Sequence, residues 1–326
     1  MALGSLIGFA LVFVLCAWTM SVIAGLWSVL ETHRQFGAAA EKRAAALSLM
    51  VPPMIAGIIV LCLAGFSVFP ESLGMTDHCD SHGHHLHLCL VHGGEWANRT
   101  WAMSLIAVLA AVLVMRLVRL GNAIVGSRKR FRVIERSSMR IQGSDIPVFL
   151  APSSRAFCFV SGFFSPRIFV ASSLWERLSV EERGAMLSHE RMHVANGDLW
   201  RSIVLQVFSL FGAPVFSAWS KQRWDDATER LCDRMAADEA NDAGPIASAL
   251  INWARPQRLG VALSFLPRPE SVEDRVVAVL YQEETGHVAA RSLLIRVSIA
   301  IAGITLLTLS LADPLHHAFE TLFGLI

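Results

Sequence analysis

Apolar residues come in long blocks along this chain, not in the short alternations of a soluble fold. Residues 1–30 carry no charged side chain. At 1.5 Å per helical residue, such a run crosses a hydrocarbon core of about 30 Å with length to spare. A second uncharged block covers 44–70, with Pro52 and Pro53 near its start. A third begins at Thr100 and reaches 122 if Arg116 and Arg119 snorkel. A fourth covers 297–312, with Leu293–Ile295 just ahead. The pattern predicts transmembrane helices at 1–30, 44–70, 100–122 and 293–312. The first block lacks a basic start and is longer than the apolar core of a signal peptide, so it reads as a span.

Between the third and fourth blocks the pattern changes. Ile146–Ala151, Ala156–Val160 and Arg167–Ala171 are short apolar or aromatic stretches separated by Ser, Gly and Pro, the signature of strands. Ser179 followed by Glu181 and Glu182 predicts a helix start, with acidic charge suited to the N-terminal dipole. That helix should run through Met186, Leu187, His189 and His193 to about Ala195, where Asn196-Gly197 stops it. Residues 123–292 therefore read as one α+β domain. Within it, 203–220 is uncharged. A fifth span there would put the segments before and after it on opposite sides of the membrane. A re-entrant or interfacial apolar hairpin turning at Gly212-Ala213-Pro214 returns the chain to the same side.

Composition agrees with this division. Of 326 residues, 54% are hydrophobic and 17% charged, and the mean hydropathy is +0.49. That is too apolar for a soluble protein and too charged for spans alone. The net charge of +1 offers no basic field for direct nucleic-acid binding. The cations are nonetheless sided. Arg34, Lys42 and Arg43 follow the first span, and Arg128, Lys129, Arg130 and Arg132 follow the third. Loop 71–99 has only Arg99, and the tail 313–326 has no Lys or Arg. By the positive-inside rule the amino terminus, loop 71–99 and tail lie outside, and domain 123–292 is cytosolic, in a multi-pass protein of the inner (cytoplasmic) membrane.

The densest chemistry is His189-Glu190-Arg191-Met192-His193. Residues i and i+4 share a helical face, so two imidazoles can hold one Zn2+ ion, and Glu190 stands where a general base is needed. The same string also fits a surface helix with two solvated histidines. A catalytic zinc usually has three protein ligands. Glu229 can be the third, while Asp233, one turn on, and Asp198, five residues past His193, can accept hydrogen bonds from the ligand imidazoles. An acidic stripe pairing with Arg230 and Arg234 is the alternative for Glu229 and Asp233. Cys232 lies off the Glu229 face and reads as core; Cys16, Cys62 and Cys158 read as buried or lipid-facing apolar residues.

Taken together, HERMH with Asp198 and Glu229-xxx-Asp233 resembles the gluzincin membrane peptidases. The nearest likeness is to the BlaR/MecR antirepressor type, and the HtpX and CAAX-protease type is more distant. Flanking stretches agree: Ser161–Val170 is similar to that family's strand pair, Ser179-Val180-Glu181-Glu182 to its helix start, and Phe211–Val215 to the link between its two zinc motifs. The likeness covers roughly residues 100–285. It implies a zincin-like fold, one catalytic Zn2+, and an edge strand that holds extended substrate, which maps onto Ala156, Phe157, Cys158, Phe159 and Val160. It also implies a role for Arg275, which either pins the site or only pairs with nearby acids. The implied substrate is a protein, a transcriptional repressor or a membrane protein, cleaved at the cytosolic membrane face in signal-responsive proteolysis. Sensing of β-lactams does not carry over, because 14 residues follow the last span and they hold no Ser-x-x-Lys. Two other readings stand beside this one: an HtpX-like quality-control peptidase, and a non-enzymatic metal-binding membrane sensor. Oligomers are compatible with all three.

One feature falls outside the likeness. Loop 71–99 contains six of the chain's 12 histidines, His78, His82, His84, His85, His87 and His92, with Cys79 and Cys89. In an oxidising compartment the two cysteines can pair as a disulfide. The imidazoles can bind a metal or report acid pH.

Overall fold

A computed structural model of the chain describes residues 2–32, 37–68, 100–141, 145–162, 164–254 and 272–281, with isolated positions nearer the carboxy end. The histidine-rich loop with Cys79 and Cys89, and nearly all of the fourth predicted span at 293–312, lie outside the described residues.

Three long helices come first: α1 (Ala2–Thr32), α2 (Ala38–Val68) and α3 (Thr100–Ser137). Each contains a stretch long and apolar enough to cross a membrane, namely Leu6–Leu26, Ala38–Gly65 and Met103–Ser137. α1 and α2 pack together through Phe9, Leu11, Val12, Ile55, Ile59 and Leu63. α2 begins six residues before the predicted 44 and continues through Pro52 and Pro53. Its first turns are Ala38-Ala39-Ala40-Glu41-Lys42-Arg43, good helix formers that extend the helix beyond its apolar part. α3 likewise passes its predicted end at 122 and carries Arg128–Arg132 on the same unbroken helix.

A four-stranded sheet follows, built from β1 (Met139–Ile141), β2 (Val148–Ala151), β3 (Cys158–Ser161) and β4 (Arg167–Ala171) in the order β1-β2-β4-β3. β2 and β4 run parallel, and β1 and β3 pair antiparallel at the edges. The three predicted strands are present, while β1 has too few residues to show an alternation. The proposed edge strand needs a correction. It runs from Cys158 to Ser161, so Ala156 and Phe157 precede it, although the Phe157 carbonyl still accepts from the Ala171 amide at 2.9 Å. The rings of Phe149 and Phe159 stack on Phe169, and Phe131 of α3 meets Phe169 edge-on, which anchors the sheet to the end of the long helix.

Six helices follow among the described residues: α4 (Ser172–Arg177), α5 (Val180–Ala195), α6 (Asp198–Ser209), α7 (Pro214–Ala240), α8 (Gly244–Ala254) and α9 (Val272–Leu280). α5 opens at the helix start expected at Ser179, and does so with a capping box: the Ser179 hydroxyl accepts from the Glu182 amide while the Glu182 carboxylate accepts from the Ser179 amide. It ends at Asn196 and Gly197, the latter at φ +65°, where glycine is favoured. The uncharged segment 203–220 forms a hairpin: α6 ends at Ser209, the chain turns, and Pro214 starts α7. α6 packs on α2, and α7 packs on both α1 and α2. Arg116 of α3 reaches this turn and donates to the carbonyls of Ser209, Leu210 (2.9 Å) and Gly212 (2.7 Å), satisfying acceptors that a helix end leaves open.

Gly212 is where the turn meets α1. A Cβ at this position would collide with the hydroxyls of Ser217 and Ser21. Gly212→Val should therefore destabilise the detergent-solubilised protein by about 1–3 kcal/mol, read as a lower thermal midpoint. An unchanged midpoint would mean that α1 and the turn do not approach this closely.

Candidate metal centre

The site is assembled where α5 crosses α7. His189 and His193 are one turn apart on α5, and their Nε2 atoms face each other at 3.2 Å. Glu229 of α7 presents both carboxylate oxygens to them: Oε2 is 3.5 Å from His189 Nε2, and Oε1 is 3.5 Å from His193 Nε2. A tetrahedral ion with bonds of about 2.0–2.2 Å sets its donors about 3.3–3.6 Å apart. Two imidazole nitrogens and a carboxylate at 3.2–3.5 Å fit that requirement, and the donor types suit a borderline divalent cation. The structure brings these three residues, named from the sequence as candidate ligands, within reach of one ion.

Behind each imidazole stands an acid. Asp233, fully buried, places Oδ1 2.8 Å from His189 Nδ1. Asp198 accepts from His193 Nδ1 through Oδ2 at 3.1 Å. Carboxylates in these positions orient a ligand imidazole and fix which nitrogen bears the proton. Arg275 is buried and does both things the sequence left open. Its guanidinium grips Asp233 in two bonds of 2.7 and 2.8 Å, and Nη1 lies 3.1 Å from Glu229 Oε2. The fork thus ties an imidazole's orienting acid to the candidate carboxylate ligand.

The fields at these groups diverge. Burial works against charge on His189, but Asp233 and Glu229 outweigh it and push the imidazole up to about 10. His193 is likewise opposed by burial and pushed up to about 12 by Asp198, Cys232 and Glu229. Burial tends to raise Glu229 as well, yet the two histidines and Arg275 hold it well below the usual carboxylate range. Glu190 differs: it is buried, and that burial raises it despite the opposing pull of both histidines.

A cleft of about 700 Å³ opens over these residues. Cys158, Phe159 and Val160 of the edge strand line it together with Glu190 and Glu229. β3 pairs only with β4 among the described residues, so its other edge faces the cleft side without a strand partner. The Cys158 thiol bonds to Glu190; burial and that neighbouring carboxylate push it well above its ordinary range.

Two placements were not foreseen. Cys232 is buried, as expected, but not simply in apolar core, since its sulfur lies 3.4 Å from His193 Nδ1 and 3.8 Å from Asp198 Oδ2. Lys42, counted in the sequence only as a topological charge, reaches from α2 to Asp198 at 2.6 Å. The helix-favouring run around Glu41-Lys42 signals an early helix start, but not which of its charges turns inward.

Comparison with known proteins agrees with this geometry. The model of peptidase family M48 matches residues 128–260, the region from the end of α3 through β1–β4 and α4–α7 and beyond α8. The match supports a metallopeptidase, and metallopeptidases of this family depend on a metal; it does not distinguish the antirepressor from the HtpX-like resemblance. No curated protein and no solved structure matches the chain.

The raised imidazoles set a pH dependence. The upward shifts favour proton binding in the metal-free site, and a cation must displace those protons. The metal-free site therefore binds more protons than the loaded one, and raising the pH favours loading. Calorimetric titration of the chelator-treated protein, in buffers of different ionisation enthalpy, should show net proton release and an affinity that climbs with pH. Loading without proton release would contradict the charged pairs described here.

Proposed function

We propose that this chain is a membrane-embedded zinc endopeptidase that hydrolyses peptide bonds at the cytosolic face of the cell's inner (cytoplasmic) membrane. The observation that carries this reading is the convergence of His189, His193 and Glu229 at 3.2–3.5 Å, with Glu190 buried beside them in the same cleft. Zinc held by these three residues supplies Lewis acidity, which polarises a peptide carbonyl and acidifies a water.

The chain's own groups do the rest. Glu190, raised by burial toward the range of a useful base, takes the proton of the attacking water and passes it to the leaving amine nitrogen. Asp233 and Asp198 keep the two imidazoles turned with Nε2 forward. Arg275 balances the acids that burial would otherwise neutralise. The free edge of β3 offers backbone donors and acceptors to an extended substrate, and Phe159 and Val160 line the cleft beside it.

The packing of the α6–α7 hairpin against α1 and α2 supports a substrate at or near the bilayer. Signal-responsive cleavage of a regulatory protein, a repressor or a membrane protein, is the role we favour over general quality control. Its support is the antirepressor resemblance together with the histidine-rich loop 71–99, which a housekeeping peptidase does not need.

Two variants test the chemistry. His189→Ala should lose stoichiometric zinc. Glu190→Gln should keep zinc yet lower proteolysis by about 10²–10⁴-fold, the usual contribution of a general base. Full activity in Glu190→Gln would end the peptidase reading, and zinc retained without any proteolysis in the unmodified protein would favour a sensor. Replacing the six loop histidines should remove a signal response and leave basal cleavage intact.

A further inference from the structure

Lys42 is unlike the other cations near the membrane helices. It sits in the second turn of α2, and its side chain is only 7% exposed. A lysine that served topology alone would reach for water or headgroups. This one turns inward over the ring of Trp224, with Nζ 5.3 Å from the ring centroid, and meets Asp198 Oδ1 at 2.6 Å. The second oxygen of that carboxylate accepts from His193 Nδ1. A single line of contacts thus runs from a membrane helix through one carboxylate to a candidate metal ligand.

The neighbouring residue repeats the arrangement on the other metal-bearing helix. Glu41 accepts from Arg223 Nη2 at 2.7 Å and Nε at 3.1 Å, and it also pairs with Arg230, the residue next to Glu229. Adjacent residues of α2 therefore hold both α7 and the first residue of α6. Glu41 and Lys42 themselves lie outside the region 128–260 that the family model matches, although their partners lie inside it.

We propose that Lys42 is a positioning residue for the metal centre: by fixing one oxygen of Asp198, it aims the other at His193 Nδ1 and holds Nε2 toward His189 and Glu229. Without the ammonium, the Asp198 carboxylate can rotate, and burial no longer meets a compensating cation at Oδ1. The imidazole then loses its fixed tautomer and direction. α2 becomes part of the site, and any tilt of that span is felt at a ligand. The inference rests on the zinc-site reading above.

The test uses the full-length protein in nanodiscs, with zinc alone as the probe and affinity read by competition with a chromophoric chelator. Lys42→Met should weaken zinc binding about 10–100-fold, the range for loss of a partner behind a ligand. Lys42→Arg, which keeps the cation, should recover most of that loss. Asp198→Asn should weaken binding by a similar factor, and Lys42→Met added to Asp198→Asn should weaken it no further. The kcat of Lys42→Met should fall while KM stays near that of the unmodified protein. Wild-type affinity in Lys42→Met, or independent losses that multiply in the double variant, would overturn the proposal. If Lys42→Met does not fold, Lys42→Gln makes the same comparison: affinity below that of Lys42→Arg supports the role, and affinity equal to the unmodified protein overturns it. An unmodified protein that binds no zinc would instead remove the site reading on which the inference stands.

Discussion

The arrangement turns on two imidazole nitrogens held 3.2 Å apart in a buried place. Left to themselves, His189 and His193 would turn their rings apart or keep a single neutral partner. Three carboxylates and one guanidinium prevent this. Glu229 spans both Nε2 atoms from the front, Asp233 and Asp198 occupy the two Nδ1 positions behind, and Arg275 ties Asp233 to Glu229. Buried charges are costly unless each is paired and hydrogen-bonded. Here every acid has a cationic or imidazole partner within about 3.5 Å, so the cluster persists only if the helices that deliver those partners keep their places.

That demand reaches into the membrane helices. α5 and α7 carry the donors, but α7 is also the helix packed along α1 and α2. The turn joining α6 to α7 is fixed by Arg116 of α3 and by close approach at Gly212, while Glu41 and Lys42 of α2 hold α7 and Asp198. The soluble-looking domain and the spans are therefore not separable by packing, even though composition divides them cleanly. The charged end of α2 does in the interior what charges at a helix end usually do in water.

Much of this was readable in advance where local rules dominate. The helix start at Ser179, the stop at Asn196-Gly197, three of four strands and the hairpin at Gly212-Ala213-Pro214 each follow from a few adjacent residues. Helical spacing set His189 and His193 on one face of their helix, and Glu229 and Asp233 on one face of theirs; Glu229 as the partner of the histidines came instead from the three-ligand habit of catalytic zinc and from the resemblance. What escaped were contacts between elements far apart in sequence. Lys42 and Asp198 are separated by 156 positions, and nothing local distinguishes Lys42 from the Arg43 beside it. Cys232 looked like core because its helical direction was read against Glu229 alone, whereas the side chain it meets comes from α5. β1 was missed because three residues cannot show an alternation.

The two glutamates nearest the histidines show how packing divides labour between identical side chains. Both are drawn upward by burial, and both feel the positive imidazoles. Glu229 adds Arg275 and direct bonds to both rings, so the anion wins and the carboxylate is fixed as a donor to a cation. At Glu190 burial outweighs the pull of both histidines and of the Cys158 hydrogen bond, the Glu229 anion adds to the rise, and the proton affinity goes up. A ligand must stay ionised, and a base must be able to hold a proton in mid-reaction. The separation comes from Arg275 and the two close ring contacts at Glu229, against burial and the Glu229 anion at Glu190.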